Sequence, residues 1–318
     1  MPPSDTFFTA SPDWRWWIVL YFFLGGLAGG SYFLSALLDL FDGPRNYALS
    51  RIGYYIAFPA VILCAPLLII DLNRPERFWH MVLQSERPWL PMLKYWSPMS
   101  VGSWALTVFG AFAFVSFIGA LTEEGVIRWR PAQMLNNLVR SSRVSGLFAL
   151  VGSAFGFFLA SYTGVLLVVS NRPLWADSSL LGLLFLTSAG STSAALMLLV
   201  ARWWQGFRPE AVGWLADMER GIMVLELIVL VAVLVSLGAV ALTILGSVWG
   251  IILLVGVVLL GILAPLFLHW RSHNLSGRML TTAAALTLLG GLLLRVVVVL
   301  SSDGVHLARV AQGATWFR

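Results

Sequence analysis

Eight long apolar runs dominate the chain, at about 16–40, 52–71, 97–120, 146–169, 180–201, 221–245, 248–268 and 280–301. Each holds roughly 20 residues or more, which at a rise of about 1.5 Å per residue is the length a helix needs to cross a bilayer core. Strands of that length are not expected, and lipid demands that every backbone N–H and C=O be satisfied within the segment. The pattern therefore predicts an all-α integral membrane protein with eight transmembrane helices, a single transmembrane domain over residues 1–318. Polar residues collect between the runs, and the longest connections are 72–96 and 121–145. The sixth and seventh runs are parted only by Gly246-Ser247, which predicts a tight hairpin. Pro59 and Pro66 fall inside the second run and are expected to kink it. No soluble domain, low-complexity linker or short repeat interrupts the series.

Composition agrees: 59% of residues are hydrophobic and 11% charged, against roughly 25% charged in a soluble domain. The net charge of +5 does not mark a nucleic-acid binder, because arginine in such a chain marks loops and lipid headgroup contacts. With an even number of spans the two termini share a side, whose loops hold eight Lys and Arg against eleven on the other. The positive-inside rule then sets both termini outside the cytoplasm of a bacterial inner membrane. The N-terminal segment carries Asp5, Asp13 and Arg15 before a run too long for a signal peptide, so the first run reads as a retained span.

Redox chemistry inside the chain is constrained by what it lacks. One cysteine, Cys64, cannot form an internal disulfide or hold an iron–sulfur cluster, which takes several thiolates. The four histidines, His80, His269, His273 and His306, avoid the middle of every apolar run, so a bis-histidine haem between helices is not expected. The expectation is a chain with no haem, no iron–sulfur cluster and no metal of its own.

Charges at membrane depth cost about 2.5–3.5 kcal/mol each or more and ask for a reason. Arg295 lies within the eighth run, in GGLLLRVVVVL, near its outer end. It reads either as a structural arginine or as the positive wall of a polar pocket, with Asp71 at the outer end of the second run as its expected partner. Glu226, about one and a half turns into the sixth run, and Asp39, at the inner end of the first, read as interfacial carboxylates or as parts of a proton path. Their apparent depths separate Glu226 and Arg295 by about 14 Å, too far to pair. GGLAGG in the first run spaces Gly25/Gly29 and Gly26/Gly30 for close helix packing, or for a flat ligand beside the helix. Tyr21, Asp71, His80, Tyr162 and Arg295 all fall at similar outer depth, which predicts a polar pocket beneath one membrane surface.

Six segments carry a family resemblance. GGLAGGSYFLSALLDL (25–40), DLNRPERFWHMV (71–82), WSPMSVGSW (96–104), YTGVLL (162–167), SNRPLWAD (170–177) and LRVVVV (294–299) occur in order along the whole chain. In this the chain resembles the NrfD-like family, the membrane subunits of polysulphide-reductase-type complexes. The resemblance implies two four-helix bundles and a quinone or quinol site, for menaquinone or ubiquinone, near the surface facing an electron-transfer partner. The implied partner is a four-cluster ferredoxin-like iron–sulfur subunit, joined to a molybdopterin catalytic subunit or replaced in function by a multihaem cytochrome. It also implies Tyr162 as a headgroup ligand. Tyr21 stands where some relatives have a histidine; it can donate a hydrogen bond but is no near-neutral base.

Quinol oxidation needs an apolar slot, hydroxyl or imidazole donors and a proton exit. The expected roles follow: Tyr162 and Tyr21 hold the headgroup, beside the glycine face of Gly26 and Gly30. Asp71 and His80 exchange protons with the outer phase, Arg295 orients Asp71, and Asp39 and Glu226 mark a path toward the cytoplasm. Two competing classes stand beside this one. A transporter would show two similar halves with interrupted helices, which the runs before and after residue 145 do not. An inert anchor would need no outer polar cluster.

Overall fold

The computed structural model describes residues 5–6, 9–10, 14–41, 47–72, 74–84, 90–139, 144–170, 172–204, 209–271 and 277–315. Its helices are α1 (Trp16–Phe41), α2 (Tyr47–Ile70), α3 (Pro98–Glu123), α4 (Arg130–Val139), α5 (Val144–Val168) and α6 (Leu181–Trp203). They continue with α7 (Pro209–Leu237), α8 (Ala239–Leu245), α9 (Val248–Ile251), a π-wound segment (Ile252–Leu263), α10 (Ala264–Arg271) and α11 (Gly277–Thr315). A short antiparallel pairing of Asp5–Thr6 with Thr9–Ala10 precedes them. Among the described residues eight helices are long and apolar enough to cross a membrane, the seventh being the continuous Val248–Trp270.

Helix α1 is the hub. Its spanning window is 78% buried inside the protein, against 28% for α3, and it packs on α2, α5, α6 and α11. The two glycine stripes explain how. Gly29 meets the backbone of Gly156 and Ala160 on α5, so closely that a Cβ there would collide with the Gly156 carbonyl. Gly30 and Gly26, rotated by about 100°, face α6: a Cβ on Gly26 would lie 3.2 Å from the Ala189 side chain, and one on Gly30 would run into Ser193. One hexapeptide thus brings two different helices to backbone distance. Around this hub α3 packs on α2 and α5, while α6 packs on α7 and α11. The π segment lies against α11 through Gly261 and Gly290, whose Cα atoms leave no room for a side chain.

Two boundaries differ from the apolar pattern. The sixth span is Val212–Leu237 rather than 221–245, because α7 begins at Pro209 and the chain breaks at Gly238, whose φ of 54° favours glycine. The segment 239–245 is the separate short helix α8. Hydropathy missed the early start since Asp217, Glu219 and Arg220 interrupt the run. The turn at Gly246-Ser247 ends α8 and starts α9, with the Ser247 hydroxyl accepting from the Trp249 N–H at 3.2 Å. α2 is helical throughout, with Pro59 and Pro66 inside it.

Replacing Gly29 by valine should separate α1 from α5 and cost about 1–3 kcal/mol, the usual penalty for overpacking a core. Thermal unfolding in detergent checks it: Gly29→Val should melt well below the parent, and Gly221→Ala, where nothing lies near a Cβ, should not.

Candidate functional site

The ends of α1, α2, α3 and α5 on the N-terminal side enclose a cleft of about 570 Å³. That is within the range of small-molecule sites. Apolar side chains from α2, α3 and α5, among them Leu68, Ile69, Met99, Leu106 and Leu166, form its walls. Tyr21, Asp71 and Tyr162 supply polar groups to it, and Ser103 and Thr107 add two hydroxyls.

Each polar group has a local reason for its position. Tyr162 sits on the buried face of α5, its ring stacked on Phe158 at 5.5 Å. Its hydroxyl donates to the Pro98 carbonyl at 2.5 Å. The ring lies where a side chain on residue 102 would be, so Gly102 is what admits it. The phenolic oxygen, having donated its proton, keeps acceptor lone pairs. Tyr21 is 2% exposed, and its hydroxyl has no hydrogen-bond partner among the described residues. Asp71 stands one residue past α2, its N–H donating to the Leu67 carbonyl at 3.2 Å.

The loop after α2 roofs the cleft. It begins with a 3-10 turn, Pro75–Met81, which contributes Phe78 and Met81 to the lining. Ser100 of α3 holds this turn by donating to the Met81 carbonyl at 3.2 Å, and the Trp104 indole N–H donates to the Met92 carbonyl at 3.0 Å. Ser97 caps α3 with Pro98 following it, an arrangement that satisfies or removes the free N–H groups of a first turn. Trp14 closes the outer lip. It stacks on Trp175 at 5.4 Å, and the Trp175 indole is tied to the Val298 carbonyl at 2.9 Å. Arg172 covers Trp175 and pairs with Asp303 of α11.

The structure sorts the expected residues into three groups. Tyr21, Asp71 and Tyr162 come together in the cleft. His80 lies on the roof turn, half-buried with its ring against Trp79, outside the lining residues. Gly26, Gly30 and Arg295 are elsewhere, on the far side of α1 from the cleft: both glycines pack on α6, and Gly26 also lies against the Arg295 guanidinium, 2.9 Å from where its Cβ would be. Arg295 does not orient Asp71. Its Nε donates to the Phe22 carbonyl at 3.3 Å, and its Nη1 donates to the Ser188 hydroxyl at 3.0 Å and the Gly291 carbonyl at 2.6 Å. Phe23 and Phe185 offer ring faces to the guanidinium at 5.6 and 5.4 Å.

The expected separation of Glu226 from Arg295 is also corrected. Ser191 donates to Glu226 at 2.6 Å, and Ser188, one turn along α6, accepts from Arg295. The two charges therefore sit at either end of a two-serine bridge. The depth estimate failed because it counted from residue 221, whereas Glu226 lies near the middle of the span Val212–Leu237. Asp39 belongs to another region. It accepts from the Tyr54 hydroxyl at 2.7 Å and lines a small cavity with Ser116 and Asn136. Glu219, which the apolar pattern did not mark, and His269, which it left outside the apolar runs, form a second buried polar cluster.

Comparison with known proteins agrees with the architecture. Residues 6–304 match the family described as Polysulphide reductase, NrfD. The chain is 26% identical to Protein NrfD of Escherichia coli over 318 aligned residues, covering 93% of this chain and 96% of that one. It is 24% identical to a polysulfide reductase chain of Wolinella succinogenes over 70% of each protein. A 98-residue stretch is 31% identical to a selenate reductase subunit of Mesobacillus selenatarsenatis, covering 31% of this chain and 20% of that protein. With eight membrane-length helices and a family match over nearly its whole length, this chain is a multi-pass membrane protein of the NrfD polysulphide reductase family.

Proposed function

We propose that this chain is the quinone-reactive membrane subunit of a bacterial respiratory oxidoreductase. It binds menaquinol or ubiquinol in the cleft and exchanges electrons with an iron–sulfur partner. The observation that carries the reading is the convergence of an unpartnered Tyr21 hydroxyl, the Tyr162 oxygen and the Asp71 carboxylate on one apolar-walled cleft. An inert anchor has no use for such a cleft. The lining also suits a quinone: the walls match a ring and isoprenoid tail, while headgroup oxygens need hydrogen-bond partners.

A bound quinol supplies two electrons and two protons per oxidation. This chain's residues position it and handle the protons. Tyr21 donates a hydrogen bond to one headgroup oxygen. Tyr162, whose own proton is held by Pro98, accepts one from a quinol hydroxyl. Asp71, at the mouth, takes a proton, and His80 on the roof turn passes it to the outer aqueous phase. Arg295, though not in the lining, fixes the backbone of α1 at Phe22, next to Tyr21. Electrons leave to a four-cluster ferredoxin-like subunit docked over 72–96 and 170–179, which joins it to a molybdopterin catalytic subunit or gives way to a multihaem cytochrome. The relatives named for polysulfide and selenate reductases support a partner of this class. Both termini and the cleft then face the extracytoplasmic side of the inner membrane.

Two outcomes test the reading in the assembled complex. Tyr21→Phe removes one hydrogen bond to the headgroup, worth about 1 kcal/mol, and should raise the KM for quinol roughly fivefold with little change in kcat. Steady-state kinetics with a short-chain quinol reads it, and an unchanged KM removes Tyr21 from the site. Asp71→Asn should lower kcat by about a hundredfold, the scale of a lost general base, while quinone-analogue affinity measured by calorimetry stays within a few-fold. Normal turnover in Asp71→Asn would mean that the proton leaves by another group.

A further inference from the structure

On the other side of α1 a second row of polar groups runs through the protein interior between α6, α7, α10 and α11. It starts at His269, two residues from the end of α10 and on the membrane face opposite the cleft. His269 is 4% exposed, and its Nε2 lies 3.3 Å from Oε2 of Glu219, which is fully buried. The Glu219 carboxylate also faces the Thr287 hydroxyl of α11 at 3.5 Å. Two turns along α7, about 10 Å away, comes Glu226, 3% exposed and bonded to Ser191. Ser188 then leads to Arg295, fully buried, whose Nε reaches the Phe22 carbonyl beside Tyr21. Between the two carboxylates lies Thr287, whose hydroxyl faces Glu219 and, one turn further along α7, Met223; Thr192 packs its methyl on Gly291 and donates its hydroxyl to the Ser188 carbonyl.

We propose that His269, Glu219 and Glu226 are the proton-binding stations of a route from the face opposite the cleft to the Arg295 end of α1. The step is a proton transfer only. A proton on His269 passes to the Glu219 carboxylate and from the resulting acid, by way of the Thr287 hydroxyl, to Glu226. Arg295 keeps its charge and ends the route as a fixed positive group. Its coupling to turnover at the cleft rests on the quinol reading; the stations themselves do not.

Structural glue between helices is the competing account, and it explains the row poorly. Glue works by satisfying its atoms, yet Oε2 of Glu219 and Nε2 of His269 face each other at 3.3 Å outside hydrogen-bond geometry, and Nη2 of Arg295 is buried without a hydrogen bond among the described residues. Two carboxylates in a membrane interior carry a large insertion cost that neutral amides would avoid. The charged and titratable groups facing the stations are few. Glu219 meets His269, with the Asp217–Arg220 pair on the outer side of its own helix, and Glu226 meets Arg295 across the serines.

Glu219→Gln and Glu226→Gln keep shape and hydrogen bonds but remove the proton-binding function, and Glu219→Asp and Glu226→Asp restore it. In the chain alone, in lipid nanodiscs, an infrared pH titration should show a carboxyl C=O band responding to bulk pH that is lost in each Gln variant and returns, shifted, in each Asp variant. Carboxyls that ignore bulk pH wherever the chain stays folded overturn the route, whatever the cleft binds. A parent complex with no quinol turnover would instead sink the quinol reading and leave the infrared result to decide the stations.

Discussion

The close approach of α1 to α5 and α6 is the contact on which the rest depends. Helices in lipid gain little from burying apolar surface against one another, so they associate through packing and polar contacts, and small residues let backbones meet. Gly25 and Gly29 turn toward α5, Gly26 and Gly30 toward α6. Without that double approach α1 would not lie deep enough for Tyr21 to reach the cleft, nor for the Phe22 carbonyl to meet Arg295. GGLAGG has a structural role that serves both polar systems: it lines no part of the cleft, and the bare Gly26 leaves the space that the Arg295 guanidinium fills.

Those two systems are kept apart by one helix. The cleft belongs to α1, α2, α3 and α5, and the buried row to α6, α7, α10 and α11. Tyr21 and Phe22 are about 100° apart around α1, so a phenol in the cleft and a carbonyl on the guanidinium are consecutive along the chain. This shares a rigid element without mixing the chemistry. Arg295 is held away from the cleft by three hydrogen bonds and two ring faces. Burying a guanidinium is tolerable only when its donors and charge are met. Ser188, Ser191 and Glu226 do much of that.

The roof of the cleft shows a different economy. Its residues are held by side chains that donate to backbone carbonyls: Ser100 to Met81, Trp104 to Met92, Trp175 to Val298. Aromatic rings at a membrane surface combine an apolar body with a polar edge. That suits them to seal a site at such a surface against water.

The periodic greasiness of the chain determined its class and the count of its spans, because the bilayer imposes one length on every crossing. It also marked Tyr21, Asp71 and Tyr162 by depth, since residue number within a span measures depth directly. Lateral position is invisible to such counting. Whether two groups at one level meet depends on which helices are neighbours and how each is rotated, and only packing decides that. Arg295 shared the depth of Asp71 and belongs to another neighbourhood. Glu226 was misjudged in depth too, because Asp217, Glu219 and Arg220 broke the apolar run and hid the first turns of α7. A carboxylate buried by its neighbours reads, in a one-dimensional chain, the same as one in a loop; the burial of Glu219 beside His269 exists only once α7, α10 and α11 have come together.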